Sequence, residues 1–341
     1  MSAAGLGATR RYTGSLGGLL IRNTVLLATA VVFVAFSLAS SKFASGSNIR
    51  NIAIEGANSA VMAVGMTFVI ITAGIDLSVG ATLFLSTAGA AELFVHGMPL
   101  VWAPLVAVLF GVFLGAFNGA SIAFVAIPPL IVTLATLNLY RGIGGHLTGF
   151  TTVYLPPTMA VLGTTTVASI PTPVIVAAAV ALLGGLLLRG TVFGRYVQAV
   201  GANPEGAREL GLPVRRVIVG VYAISGLTAA LAGLIENGRL GALQPTVGLG
   251  EELTVITAVV LGGTSLFGGK GSILGSLLGV ALLQMVADGL VLAQISPYVF
   301  DMLRASVLIV AVLFGTSRGR GGFRIFPRAR LHQSGGEAVE S

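Results

Sequence analysis

Long runs of apolar residues without a formal charge alternate with short polar breaks along most of this chain. A bilayer requires about 20 apolar residues per helical crossing. The uncharged runs 93–140 and 142–188 are each long enough for two crossings, and the runs 217–235, 253–269 and 271–287 each have room for one. The pattern therefore predicts a chain that crosses a membrane many times as helices.

The positions of these runs predict an all-α fold, a polytopic transmembrane helical bundle with broken or re-entrant segments. We expect about ten crossings, near 24–41, 54–72, 80–95, 100–125, 129–146, 171–188, 217–236, 252–265, 272–291 and 299–316. The first run also has features of a signal peptide. Its 18 uncharged residues are long for that role and can span a bilayer alone, so we expect an uncleaved crossing.

The composition points to an integral membrane protein. Of the 341 residues, 55% are hydrophobic and only 9% are charged, which leaves too little polar surface to coat a soluble globule. The 48 glycines fit tight helix packing and broken helices. Because the sequence contains no cysteine, it excludes disulfides and thiolate metal sites.

The distribution of basic residues predicts the orientation in the membrane. Most of the 19 lysines and arginines lie near the N-terminus, in 189–216 and near the C-terminus. The positive-inside rule places all three segments in the cytoplasm, with an even number of crossings between them. We expect a cytoplasmic segment 1–23, a transmembrane permease domain 24–316 with a cytoplasmic loop 189–216, and a basic cytoplasmic tail 317–341. No folded basic domain remains to bind nucleic acid, despite the net charge of +7.

Asp76 is the single formal charge between Glu55 and Glu92. A carboxylate in lipid is costly, so it normally faces a bundle interior or a water-filled path. One hypothesis is that Asp76 lines or shapes a transport path, or fixes a broken helix by accepting hydrogen bonds from local backbone and Ser78. The other is that it caps the third crossing as N-cap. One carboxylate can serve both roles.

The loop 189–216 contains the signals of a short helix. Asn203 is a good N-cap, Pro204 suits the first helical position, and Glu205 favours the positive end of the helix dipole. Gly211 and Pro213 predict the end of the helix. A helix this short is marginal in water, so it is either a solvated connector or an element that docks on a partner.

Several blocks of sequence in one order carry a family resemblance. They are 74–80, 117–119, 133–136, 194–196 with 199–203, and 259–269. Over roughly residues 45–316 the chain resembles the permease subunit of bacterial ABC sugar importers of the ribose and xylose type. The resemblance implies a multi-pass protein of the bacterial inner membrane that moves a monosaccharide, expected to be a pentose, and that is not itself an enzyme.

The same resemblance implies the partners. A second permease copy or a paralogue completes the pore within the lipid membrane, a cytoplasmic ATPase holds the ATP and magnesium, and a periplasmic protein delivers the sugar. No cofactor is expected in this chain. The helix 203–212 resembles the coupling helix that seats on the ATPase, through Asn203, Pro204, Glu205, Gly206, Ala207, Leu210 and Gly211.

A weak internal repeat suggests where the path lies. Gly74, Leu77 and Gly80 have the spacing of Gly263, Leu266 and Gly269, so each segment is a candidate break between helical pieces. Asp76 and Ser265 would then correspond. The residues predicted to line or shape the pore are Asp76, Ser78, Asn118, Ser265, Gly74, Gly80, Gly263 and Gly269.

Two other functions share part of this sequence pattern. An ion-coupled secondary transporter using Asp76 would also have ten crossings and broken helices, but it would not need a capped cytoplasmic helix that resembles an ATPase-docking segment. An intramembrane hydrolase is disfavoured because Asp76 and Asp288 lie on unrelated predicted helices and make a poor case for an aspartyl pair.

Overall fold

The computed structural model describes residues 24–155 and 161–318, which are almost entirely helical. The predicted cytoplasmic segment 1–23 and all but the first two residues of the tail 317–341 lie outside the described residues. The long helices are α1 Thr24–Ala39, α2 Gly46–Ile71, α3 Val79–Val95, α4 Ala103–Val125, α5 Pro129–Leu147, α7 Thr172–Gly190, α10 Val214–Leu240, α12 Ile273–Leu292 and α13 Pro297–Arg318.

Shorter elements fill the connections between them. The short helices are α6 Val161–Thr164, α8 Val192–Ala202, α9 Pro204–Glu209 and α11 Glu251–Leu261, and a 3-10 turn covers Leu100–Trp102. The strands are β1 Val153–Tyr154, β2 Thr166–Val167, β3 Ile170–Pro171 and β4 Ala242–Leu243. β1 pairs antiparallel with β4, which ties the connection after α5 to the end of α10, and β2 pairs antiparallel with β3.

A helix lies at each of the ten segments predicted from the sequence, and the all-α class is confirmed. Among the described residues, five helices are long and apolar enough to cross a membrane, namely α2, α4, α7, α10 and α12. The segment predicted near 252–265 differs from expectation, because α11 has 11 residues and is therefore about 16 Å long. The hydrocarbon core is about 30 Å thick, so α11 reaches only about halfway across it.

α10 lies at the centre of the bundle and packs against α2, α3 and α4. Its contact with α4 is made through glycines spaced four residues apart, Gly111, Gly115 and Gly119, which lie on one face of α4. A Cβ atom on Gly115 would collide with the carbonyl oxygen of Tyr222. Small residues at this spacing let two membrane helices bring their backbones together.

Candidate functional site

Asp76 lies in the break between α2 and α3 and is buried, with 2% of its surface exposed. Its Oδ1 accepts hydrogen bonds from the backbone N–H of Ser78 at 2.9 Å and from the Ser78 hydroxyl at 2.6 Å. Its Oδ2 accepts one from the Ser225 hydroxyl of α10 at 2.7 Å. The N-cap of α3 is Ser78, so the hypothesis that Asp76 is the N-cap does not hold. The bonds agree with the other hypothesis, in which Asp76 accepts from local backbone and from Ser78. The carboxyl group instead closes the turn that precedes the helix.

The hydrogen bonds continue from Ser78 into α4 and α5. The Asn118 side-chain amide donates to the Ser78 hydroxyl oxygen at 2.8 Å, and the Tyr140 hydroxyl donates to Asn118 Oδ1 at 3.2 Å. Asn118 and Ser78 are fully buried. One polar chain therefore joins the start of α3 to helices α4, α5 and α10.

The backbone in the break between α2 and α3 is also held by hydrogen bonds, in addition to those of the Asp76 side chain. The carbonyl oxygen of Ile75 accepts hydrogen bonds from the Tyr222 hydroxyl at 3.2 Å and from the Thr133 hydroxyl at 3.3 Å. A Cβ on Gly74 would come within 2.8 Å of the Tyr222 hydroxyl, and one on Gly80 would collide with the carbonyl oxygen of Gly248. Both glycines are needed because neighbouring groups occupy the space that a side chain would take.

Three residues of this network were not predicted from the sequence: Tyr140, Tyr222 and Ser225. A hydroxyl group within an apolar helix gives little signal in a single sequence, because such side chains often bond to their own helix. Thr133 entered the prediction only as part of the family block 133–136. Its hydroxyl also holds the break between α2 and α3, through the Ile75 carbonyl.

The second glycine-rich segment, 262–272, has a different backbone from the first. Gly263 and Gly269 have positive φ angles of 90° and 77°, whereas Gly74 and Gly80 are not among the positive-φ glycines. The N–H of Ser265 bonds to the carbonyl of Lys270 at 3.0 Å, and its side chain accepts from the N–H of Phe267. The two segments match in spacing but not in conformation, and no hydrogen bond among the described residues joins Ser265 to Asp76.

This second segment meets the end of α2 and the end of α8 at one point, here called the glycine junction, made by Ile71, Gly201, Gly268 and Gly269. The N–H of Gly269 donates to the Ile71 carbonyl at 2.8 Å. A Cβ on Gly201 would collide with the same carbonyl oxygen, and one on Gly268 would come within 2.5 Å of the Gly201 carbonyl oxygen. A membrane helix, the glycine-rich segment and the predicted cytoplasmic loop therefore touch through their backbones.

The short helix predicted at 203–212 is present as α9, Pro204–Glu209. The Asn203 side chain accepts a hydrogen bond from the N–H of Gly206 at 3.0 Å and so caps the helix. Ala207 is buried and faces the bundle, whereas the Leu210 side chain is 82% exposed. Gly211 has a φ of 77°, which suits the residue that ends a helix. The helix α8 before it was not predicted.

α9 thus has two different sides. Ala207 packs into the protein's own core, while Glu205 and Leu210 are exposed. Leu210, the C-cap of this six-residue helix, is exposed and gains no stability from burial in the protein's own core. This side is therefore available to a partner.

Comparison with known proteins identifies the family. Residues 48–312 match the family described as "Branched-chain amino acid transport system / permease component". The chain is 38% identical to a ribose import permease protein of Haemophilus influenzae, over 87% of this chain and 94% of that protein. It is 38% identical to the ribose import permease protein of Bacillus subtilis, over 83% and 89%.

A xylose transport system permease protein of Escherichia coli is 31% identical, over 90% of this chain and 96% of that protein. No solved structure matches the chain. These matches confirm the resemblance to permeases of the ribose and xylose type, and the chain belongs to the family of membrane permease components described for branched-chain amino acid transport systems.

Proposed function

We propose that this chain is the transmembrane permease subunit of an ABC importer that moves a monosaccharide inward, with a pentose such as ribose or xylose as its substrate. The named relatives are permeases for ribose and for xylose, and they align over nearly the whole of this chain. The glycine junction is the observation that carries the proposal, because there the end of α8, which leads into α9, lies against the end of the membrane helix α2.

Energy enters this subunit from outside in the proposed mechanism. A separate ATPase binds ATP and magnesium and seats on the exposed side of α9, through Glu205 and Leu210. Closure of the ATPase shifts α9 together with α8. Because Gly201 of α8 lies directly against the Ile71 carbonyl, the shift reaches the end of α2 and the segment 262–272 without passing through flexible side chains.

The membrane arrangement is part of the same proposal. The chain has about ten membrane segments with both ends in the cytoplasm of a bacterium, and α11 is a half-crossing continued by the irregular segment that follows it. Broken helices are common at transport paths. A second copy of the chain, or a paralogue, completes the pore, and a periplasmic binding protein delivers the sugar to the side opposite α9.

Asp76 acts in this proposal as a pore-shaping residue. Both of its carboxyl oxygens are occupied by hydroxyl and amide donors of the protein. It therefore holds the break between α2 and α3 in one conformation, together with Ser78 and Asn118, and does not itself contact the sugar.

The proposal is tested by purifying the tagged permease from its own host and identifying the proteins that accompany it. We expect an ATPase in stoichiometric amount. Leu210→Asp places a charge on the docking side and should remove most of the ATPase from the preparation. Val192→Asp is the matched control, because Val192 is also exposed and lies in the same loop at the first turn of α8, where an acid is favoured.

One outcome would overturn the proposal. A permease that lacks any accompanying ATPase, and that takes up sugar in vesicles when an ion gradient is imposed, is a secondary transporter. Replacement of Asp76 by asparagine would then abolish the gradient-driven uptake.

A further inference from the structure

A cavity of about 300 Å³ lies inside the single subunit, between α2, α10, α11, α12 and α13. Ligand sites in proteins have volumes of about 300–1,000 Å³, so this cavity is of a size for one small molecule. It does not include Asp76 or Ser265. None of the residues that the sequence predicted to shape the pore lines it.

Charged and amide side chains of α2 and α10, together with Gln284 of α12, form one wall of this cavity. Arg239 of α10 is paired with Glu236, 2.8 Å away, and approaches Glu55 of α2 at 3.6 Å. The Asn58 amide donates to Glu236 at 3.3 Å, and the Gln284 amide of α12 donates to Glu55 at 3.1 Å. Donors and acceptors therefore alternate along this wall.

The opposite wall adds a third carboxylate and a second guanidinium. Glu251, the first residue of α11, accepts a hydrogen bond from the Ser59 hydroxyl at 2.9 Å. Arg304 of α13 donates to the carbonyl of Gly250 at 3.1 Å and to the Thr254 hydroxyl. The ring of Phe300 lies below the Arg304 guanidinium, 5.9 Å away, and also lines the cavity.

The cavity lies at the end of the bundle opposite α9. Helix α10 starts at Val214, just after α9, and Glu236 and Arg239 occupy its last turns. α2 runs the other way, because its last residue, Ile71, lies at the glycine junction. Glu55 is consequently far from that end. In the proposed function this is the side on which the binding protein releases sugar.

Charged groups inside a membrane bundle are expensive, and they normally mark a path or a binding site. Helix packing alone needs none of these five charges. Carboxylates and guanidiniums both line the cavity, so it presents no excess of positive charge that would attract an anion. The described residues contain no group of three acidic or histidine side chains arranged to hold a metal ion.

We infer that this cavity binds the neutral monosaccharide during transport, inside each subunit. The inference rests on the proposed function and deepens it. Each sugar hydroxyl is both a donor and an acceptor, so it fits a wall on which carboxylates, guanidiniums and amides alternate. Phe300 offers an apolar surface to the carbon face of the ring. Glu236 and Gln284 contact the sugar, and Arg239 positions Glu236.

The test uses the whole importer, reconstituted in liposomes with its ATPase and binding protein, and uptake of labelled D-ribose, D-xylose and D-allose. If the unaltered importer takes up none of these sugars in response to ATP, the proposed function fails, and this inference fails with it. If it takes up at least one, the variants below decide the inference alone.

Gln284→Ala and Glu236→Gln should each reduce uptake at least tenfold and change the preference among the three sugars. ATP hydrolysis stimulated by the binding protein should persist. Glu92→Gln is the matched control, because Glu92 pairs with His96 outside the cavity, and it should leave uptake unchanged. Folded variants with normal uptake and unchanged preference would overturn the inference.

A second measurement separates contact with the sugar from a structural role. Since the sequence has no cysteine, Gln284→Cys introduces a single thiol per subunit. A methanethiosulfonate reagent should label it and block uptake, and the transported sugar should slow the labelling severalfold while sorbitol does not. His96→Cys, at a side chain that is 70% exposed, should be labelled without protection by sugar. Labelling of Gln284→Cys at equal rates with and without the sugar would overturn the inference.

Discussion

The backbone N–H of Gly269 donates a hydrogen bond to the carbonyl oxygen of Ile71, 2.8 Å away. This bond joins two segments that lie nearly two hundred positions apart in the sequence. The oxygen belongs to the last turn of α2, where a helix leaves its carbonyls without partners inside the helix. The glycine-rich segment supplies the missing donor, and Gly201 closes against the same atom.

Gly201→Ala should disrupt the glycine junction. Its new Cβ would collide with the Ile71 carbonyl oxygen. The Cβ position is fixed by the backbone and the oxygen is itself a backbone atom, so neither can rotate away. We expect a loss of about 1–3 kcal/mol in the free energy of unfolding and uncoupling of ATP hydrolysis from uptake. Thermal unfolding in detergent followed by circular dichroism measures the first effect.

Gly185→Ala serves as the control for that experiment, since nothing lies within 4 Å of the position that its Cβ would take. It should leave coupling intact and gain about 0.5–1 kcal/mol in the free energy of unfolding, because alanine is the better helix former. Equal behaviour of the two variants would show that the glycine junction is not closely packed.

Asn203→Ala should loosen α9, because it removes the side-chain oxygen that accepts from the N–H of Gly206. Loss of an N-cap costs about 1 kcal/mol, which corresponds to roughly a fivefold change in the opening equilibrium. Hydrogen exchange of the backbone amides of residues 205–209 should accelerate by that factor. Asn203→Asp keeps an acceptor and should exchange at the original rate, and acceleration in both variants would contradict the cap.

Ser225→Ala should destabilise the break between α2 and α3. It removes the donor to one oxygen of the buried Asp76 carboxyl group, and an unsatisfied buried group costs about 1–3 kcal/mol. The double variant with Asp76→Asn should be less destabilised than the sum of the two single changes, by about 0.5–3 kcal/mol, because the pair is in contact.

Ser121→Ala is the comparison for this cycle. Its hydroxyl is exposed and bonds only within its own helix, to the Phe117 carbonyl, so the change should be nearly neutral. Additive effects of Asp76→Asn and Ser225→Ala would mean that the two side chains do not interact in the membrane.

Gly115→Ala should weaken the packing of α4 on α10. The added methyl group has no space beside the Tyr222 carbonyl, and overpacking costs about 1–3 kcal/mol. Gly142→Ala on α5 meets no atom within 4 Å and should gain about 0.5–1 kcal/mol from helix propensity. A lower unfolding temperature for Gly142→Ala than for Gly115→Ala would refute the close contact.

The sequence predicted helices well where hydrophobicity alone decides, and less well where contacts between distant residues decide. The cap at Asn203 was readable because its partner is three residues away. Ser225 was not readable as a partner of Asp76, because 149 residues separate them. The crossing predicted near 252–265 ends earlier than expected, at Leu261, and Gly263 just after it adopts a positive φ. The charged cavity was missed because its five charges lie on four different helices.

The contact between α4 and α10 also limits how the subunit can move. Glycines of α4 meet backbone atoms of α10 at three successive turns, so the contact leaves little room for side chains that could rearrange as one helix slides along the other. Sliding would drive carbonyl oxygens into α-carbons. We therefore expect α4 and α10 to move as one rigid body. The motion that opens and closes the path must then take place between other helices.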